Sequence, residues 1–183
     1  VEGVNGIIKE QVFPATIDFM DNNSIRTVEN FYPTGLKTDM NALLLIDIDG
    51  FSSSLDEQQK RVQEALMQAG AALIDINDGD KVWTARRSSF AATAQLAPDV
   101  VSDDIIVPRT NLAKMINACK DICDKYGLKV CIVGHVGDGN IHPQIALDLE
   151  NDAEFKNYIK AKSEMYEMAI SLGGTISAEH GVG

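Results

Sequence analysis

Two of the chain's three histidines lie in one short stretch, Gly134-His135-Val136-Gly137-Asp138-Gly139-Asn140-Ile141-His142, and the third follows Glu179 as His180. Imidazoles bind divalent metals and carry protons near neutral pH. Two imidazoles and one carboxylate with open positions make a catalytic site suited to Zn²⁺ or Mn²⁺. In that reading His135, His142 and Glu179 are the ligands, and His180 is left free as a base. On one regular strand His135 and His142 would point to opposite faces, ~23 Å apart. The glycines must therefore fold the chain back on itself. The bland alternative is a turn whose histidines are satisfied by backbone carbonyls. Asp138 suits the turn itself, accepting backbone N–H groups.

Arg86 and Arg87 form the chain's adjacent arginine pair, three and four positions after its one tryptophan, Trp83. An arginine grips a carboxylate through two parallel hydrogen bonds. Arg87 reads better as a solvated helix face, and Trp83 as core. Glycine patterns for dinucleotides or phosphates are absent, since Gly134-x-x-Gly137-x-Gly139 has the wrong spacing and context. No nucleophilic Ser-His-Asp or Cys-His arrangement is readable. Cys119 and Cys123 share a helix face, and with Cys131 they read as small core residues in a reducing compartment.

The elements that position these residues follow from periodicity. Residues 129–133 and 143–147 read as strands flanking the histidine turn. Ile17 and Phe19 alternate with Thr16 and Asp18, which predicts a half-buried strand over 14–20. Asp21 to Ser24 offer cap chemistry for a helix reaching about Phe31. The apolar run of 42–50 predicts a central strand covered on both faces. Helices follow over 55–69, with Ser52 to Ser54 as caps, and over 80–95. Strands are expected over 72–76, 104–107 and 175–177. Thr110 or Asn111 caps a helix over 112–126, and a last helix spans 152–172 with Phe155, Ile159, Met165, Tyr166 and Ile170 along one side. Leu45 to Gly50 and Leu73 to Gly79 echo each other weakly. Residues 6–10 read only as an approach to the first strand. The expected class is α+β: a ferredoxin-like, mainly antiparallel sheet with helices packed on one face.

With 183 residues the chain can bury a real core, and a net charge of −11 argues against nucleic acid and anionic membrane surfaces. No apolar run approaches the ~20 residues of a membrane span, and no signal peptide is visible. A cytoplasmic location is expected, with peripheral membrane association compatible.

The histidine stretch, together with Ser177-Ala178-Glu179-His180-Gly181-Val182-Gly183, resembles the C-terminal (cap) domain of FAD-linked oxidases of the vanillyl-alcohol oxidase superfamily. The similarity is to the branch of glycolate oxidase catalytic subunits, D-lactate dehydrogenases and D-2-hydroxyacid dehydrogenases. Residues 14–21, the 43–50 strand and Val82-Trp83-x-x-Arg86 fit the same family in the same order.

The resemblance implies that residues 1–183 are a substrate-binding cap domain, cut at both ends, with FAD held mainly by an N-terminal domain. It implies His135, His142 and Glu179 as metal ligands, and His180 as the base that removes the substrate hydroxyl proton. Arg86 matches the carboxylate-binding arginine, and Asn140 an asparagine beside substrate and flavin. The implied reaction is oxidation of glycolate or D-lactate to the 2-oxo acid with hydride transfer to FAD, and the isolated fragment would be inactive. Ser102 and Asp103 stand where some relatives carry a lysine, and Phe90 where 2-hydroxyglutarate enzymes carry a threonine; both favour a small monocarboxylate. Implied partners are the FAD-binding domain and other oxidase subunits, including an iron–sulfur subunit. The competing reading is a non-catalytic metal-binding or subunit-docking module.

Overall fold

Near-continuous burial along β1, β5 and β6 gives the sheet two buried faces, and helices cover both. The fold is described from a computed structural model covering residues 2–76 and 79–181. In chain order the elements are α1 (Glu2–Lys9), β1 (Thr16–Asp21), α2 (Asn22–Phe31), β2 (Ala42–Asp47), α3 (Ser52–Gln68) and α4 (Gly79–Thr93). They continue with β3 (Asp99–Ser102), β4 (Ile105–Ile106), a 3₁₀ turn at Arg109–Asn111, α5 (Leu112–Lys125), β5 (Lys129–His135), β6 (Asn140–Leu147) and α6 (Asp152–Ser171). The sheet runs β2-β1-β5-β6-β3, with β4 paired to the far end of β6, and every pairing is antiparallel. The α+β class with an antiparallel sheet therefore holds.

Helices lie on both faces rather than the one expected. Ile17 and Phe19 of β1, Ile132 of β5 and Ile145 of β6 pack with Met115 and Cys119 of α5 and Met165 and Ala169 of α6. The alternate residues Met20 and Val133, with Leu45 of β2, pack with Ile25 and Val28 of α2 and Ala85 and Ala92 of α4. A third cluster joins Ile7 of α1 to Val62 and Ala65 of α3. Full burial of side chains such as Ile132 and Ile145 contributes roughly 1.5–3 kcal/mol each.

Several local expectations change once the partners are seen. Residues 42–47 form an edge strand, not a central one, and only Leu45 among them is buried. Residues 72–76 are irregular and mostly exposed, and among the described residues they join no ladder. The part of the weak repeat that falls on residues 77 and 78 lies outside the described residues. The 175–177 segment makes one isolated bridge, Thr175 to Ile106. Strand β3 and helix α1 are additional elements. On α6 the inward stripe is Tyr158, Ala161, Met165 and Ala169, whereas Phe155, Ile159 and Ile170 are exposed. Tyr158 and the two alanines follow the helical spacing, and the small alanines let α6 approach the sheet closely.

Asp21 caps α2 as expected, accepting from the Ser24 N–H. Asn111 makes no side-chain cap bond for α5 and instead donates to the Leu172 carbonyl. The serines at 52–54 provide no N-cap, since α3 begins after Phe51.

Candidate metal and substrate site

Strands β5 and β6 form the hairpin that the spacing of His135 and His142 required. Val133 lies directly opposite His142, so His135 and His142 emerge on the same face, the one covered by α4. Their ring centroids are 5.3 Å apart. The turn between them tolerates few side chains. At Gly134 an added Cβ would fall 2.4 Å from the Asn140 carbonyl oxygen. Gly139 has φ +85°, and its Cβ would fall 2.2 Å from the Val107 oxygen. Glycine alone combines that backbone region with such close approach. The Asp138 N–H donates to the His135 carbonyl, while its side chain is exposed.

The second half of the site arrives from the chain's end. The bridge between Thr175 and Ile106 sets residues 177–180 beside Asp104, immediately before β4. Asp104 Oδ2 accepts three consecutive backbone N–H groups, from Ala178 (2.7 Å), Glu179 (2.8 Å) and His180 (2.8 Å), and the Ser177 hydroxyl at 3.1 Å. Burial opposes the charge on Asp104, but these hydrogen bonds outweigh it and hold its carboxyl well below the usual carboxylate range.

So held, Glu179 Oε1 lies 3.3 Å from His142 Nε2, 3.6 Å from His135 Nε2 and 3.6 Å from His180 Nε2. The His142 and His180 rings stack with centroids 5.0 Å apart. Burial, reinforced by the neighbouring His135 and His180, pushes the His142 pKa below its usual value, against the opposing pull of Glu179 and Asp104. A neutral imidazole is the form that binds a metal.

The outward nitrogens of both hairpin histidines face carboxylates. His135 Nδ1 is 2.8 Å from Asp18 Oδ1, and His142 Nδ1 is 3.7 Å from Asp104 Oδ1. Metal-bound histidines typically have such a partner on their other ring nitrogen. Ligand atoms of Asp104, His142, Glu179 and His180 all lie within 4.8 Å of one another. His142 Nδ1 is buried without a hydrogen-bond partner. The donor set of imidazole and carboxylate thus fits a divalent ion of the Zn²⁺ or Mn²⁺ type.

Beside this cluster opens a cavity of about 430 Å³, lined among others by Arg86, Phe90, Ser102, Gln144, His142 and His180. Arg86 Nε pairs with Asp18 Oδ2 at 2.8 Å. Burial lowers the Arg86 pKa, and Asp18 works against that shift. Arg87 is exposed, as expected of a solvated face, yet it also borders the cavity. Trp83 packs against the second core cluster, lines the cavity and donates from Nε1 to Asp47.

Asn140 is 4% exposed, lies outside the cavity lining, and has an unpartnered buried Oδ1. Gln144, two positions past His142 on the same strand face, reaches the cavity instead and accepts from Thr93. Sequence reasoning missed Asp18, Asp104 and Gln144. For Gln144 the period-two alternation from His142 was an available signal; for the two aspartates there was none, because their roles depend on which loops meet. The cysteines are buried in the core with thiol pKa values pushed up by burial, Cys123 to about 12.

A fold of this kind, with a histidine–carboxylate cluster at the mouth of a cavity, defines the chain's class. Residues 1–183 match the family described as FAD linked oxidases, C-terminal domain, and the chain belongs to that family. It is 35% identical to the glycolate oxidase subunit GlcD of Bacillus subtilis, over 98% of this chain and 39% of that protein. It is 34% identical to GlcD of Escherichia coli K12 over 98% of this chain and 37% of that protein. A D-lactate dehydrogenase of Anaerostipes hadrus is 29% identical over 93% of this chain and 38% of that protein. The chain therefore spans well under half the length of these curated relatives. Among solved structures, the fold is similar to 4-ethylphenol oxidase from Gulosibacter chungangensis (TM-score 0.61, 14% identity, 89% of this chain and 39% of that one). It is also similar to alkyldihydroxyacetonephosphate synthase (TM-score 0.59, 16% identity, 97% of this chain and 38% of that one).

Proposed function

We propose that this chain is the substrate-binding domain of an FAD-dependent 2-hydroxyacid dehydrogenase acting on glycolate or D-lactate. The observation that carries the reading is the approach of Glu179 Oε1 to three histidine Nε2 atoms beside a cavity that also contains Arg86. The names of the relatives support the same substrate class. FAD is held mainly by a separate domain, consistent with the 37–39% share of the relatives that this chain covers.

In this proposal His135, His142 and Glu179 hold a divalent metal, Zn²⁺ or Mn²⁺. A bound divalent ion would lower the pKa of the substrate hydroxyl and orient the acid. FAD would accept the hydride from the α-carbon at N5. Arg86, kept charged and oriented by Asp18, binds the substrate carboxylate. His180 Nε2 takes the hydroxyl proton, so the substrate leaves as the 2-oxo acid having lost one proton and one hydride. Glu179 beside that ring stabilises the imidazolium formed. Asn140 contributes to substrate or flavin binding from the start of β6.

The finer readings belong to the same proposal. The protein is cytoplasmic, consistent with three reduced, buried thiols. It assembles with further oxidase subunits, an iron–sulfur subunit among them, in keeping with relatives that are themselves named as subunits. Among the described residues no helix is long and apolar enough to cross a membrane.

The test is anaerobic rapid mixing of the FAD-containing protein with glycolate, D-lactate and D-malate, following flavin bleaching, alongside metal analysis. Bleaching by the monocarboxylates is expected, together with loss of both metal and bleaching in His135→Ala and Glu179→Ala. Because Arg87 also lines the cavity, fastest reduction by D-malate would move the substrate to a dicarboxylate. Intact metal content and turnover in both variants would sink the site assignment.

A further inference from the structure

We infer that Asp104 is the positioning residue of the site, fixing Glu179 and His180 through one carboxylate oxygen and the tautomer of His142 through the other. The inference rests on the metal-binding reading, in which His135, His142 and Glu179 are the ligands, and gives the adjoining Asp104 a role behind them. Two independent observations carry it.

The first is the number of donors on one oxygen. Asp104 Oδ2 accepts from Ser177 Oγ and from the N–H groups of Ala178, Glu179 and His180. Successive N–H groups converging on one point form an anion-binding nest. Here the anion belongs to the protein, and the nest is the segment that carries a ligand and the base. Glu179 and His180 are about half exposed and belong to no helix or strand, so this carboxylate substitutes for the ladder that would otherwise hold them. Ser177 Oγ also accepts from the Gly181 N–H, which closes the segment on itself.

The second is the pair of unsatisfied atoms on the opposite side. Asp104 Oδ1 and His142 Nδ1 are both buried, and neither has a hydrogen-bond partner. They lie 3.7 Å apart, too far for a hydrogen bond but close enough for a small ring rotation to make one. A carboxylate can only accept, so His142 must carry its proton on Nδ1 to satisfy both atoms. That leaves the Nε2 lone pair directed toward Glu179, 3.3 Å away, where a cation would be shared. Asp18 does the same for His135 from the other side, at 2.8 Å. Asp104 thus faces both halves of the site, His142 of the hairpin through one oxygen and the backbone of the terminal segment through the other. Its neighbour Asp103 points elsewhere, pairing with Lys162 and accepting from Tyr166 of α6, which holds this short stretch against the helix.

Zinc affinity, measured by competition with a chromophoric chelator, and the His142 tautomer, read from long-range ¹H–¹⁵N spectra, test the inference. Asp104→Asn keeps the size and removes the charge, and is expected to weaken zinc binding roughly 10–100-fold. Ser177→Ala, which removes one of four donors, should stay close to the parent. In the zinc-free parent, His142 should be the Nδ1–H tautomer, a signature that a merely structural aspartate would not set. Zinc binding that His135→Ala abolishes but Asp104→Asn leaves within about twofold of the parent overturns the inference while sparing the metal site. Absence of zinc binding in the parent overturns the metal reading and this inference together. Should Asp104→Asn not fold, the parent tautomer decides: Nε2–H on His142 without zinc overturns it.

Discussion

Asp18 and His135 sit directly opposite each other on β1 and β5, and the carboxylate meets the ring at 2.8 Å through Nδ1. The same carboxylate takes Arg86 Nε on its second oxygen. One buried aspartate thus ties a candidate metal ligand to the candidate substrate-binding arginine.

Asp18 and Arg86 should be energetically coupled. With their side chains 4% and 13% exposed, removing Asp18 leaves the Arg86 charge buried without its ion pair, and removing Arg86 leaves the buried Asp18 with only the His135 ring. Such losses cost about 3–5 kcal/mol. Asp18→Asn and Arg86→Gln should each lower the urea midpoint clearly. The double variant should be less destabilised than the sum of the two, with a coupling of about 1–3 kcal/mol in a double-mutant cycle.

The three thiols should be silent in the folded protein. Burial pushes all three pKa values up, so the folded chain keeps these protons at pH values where unfolded thiols lose them. The unfolded state then binds fewer protons, and stability falls as pH rises. The window opens near the unfolded thiol pKa of about 8.5 and extends toward about 12 for Cys123. A colorimetric disulfide reagent at pH 8 should titrate no thiol rapidly in buffer and all three in denaturant, and urea midpoints should drop between pH 8 and pH 10.

Gly139 is buried in the turn, and Gly139→Ala should damage the hairpin more than one added methyl group suggests. The substitution combines φ +85° with a Cβ placed 2.2 Å from the Val107 oxygen. Backbone strain alone costs about 1–3 kcal/mol, and the collision adds to it. Gly35→Ala, also at positive φ but with open space around it, serves as the control and should cost less. Thermal melts of the two variants against the parent measure the difference.

Tyr166→Phe removes the hydrogen bond from its hydroxyl to Asp103 at 2.7 Å but leaves Lys162 in place. Hydrogen bonds to charged groups contribute about 1.5–3 kcal/mol. A lowered melting temperature with unchanged zinc affinity is expected, which would separate the support of α6 from the site itself.

Much of the site was legible in the chain because its chemistry is concentrated. His135 and His142 bracket three of the turn's residue choices that only a hairpin explains, and Glu179 and His180 are adjacent. Strand and helix patterning located β1, β5, β6, α5 and α6, since each buries at least one face against a continuous core. Other features depend on contacts far apart in sequence. Residues 42–47 carry the apolar run of a central strand but lie at the sheet's edge, because edge position depends on whether another strand arrives. Residues 72–76 have strand-like composition and, among the described residues, no ladder partner. Exposed Phe155, Ile159 and Ile170 on α6 fit helical periodicity, yet the helix turns its alanines inward.

By itself, then, the sequence determined the hairpin and the donor types, because local spacing and side-chain identity suffice for those. Only the tertiary structure decided that Asp18 and Asp104 stand behind the two histidines. A carboxylate becomes a histidine's partner through the β1–β5 register and the meeting of two loops, and neither is written in the residues that flank it.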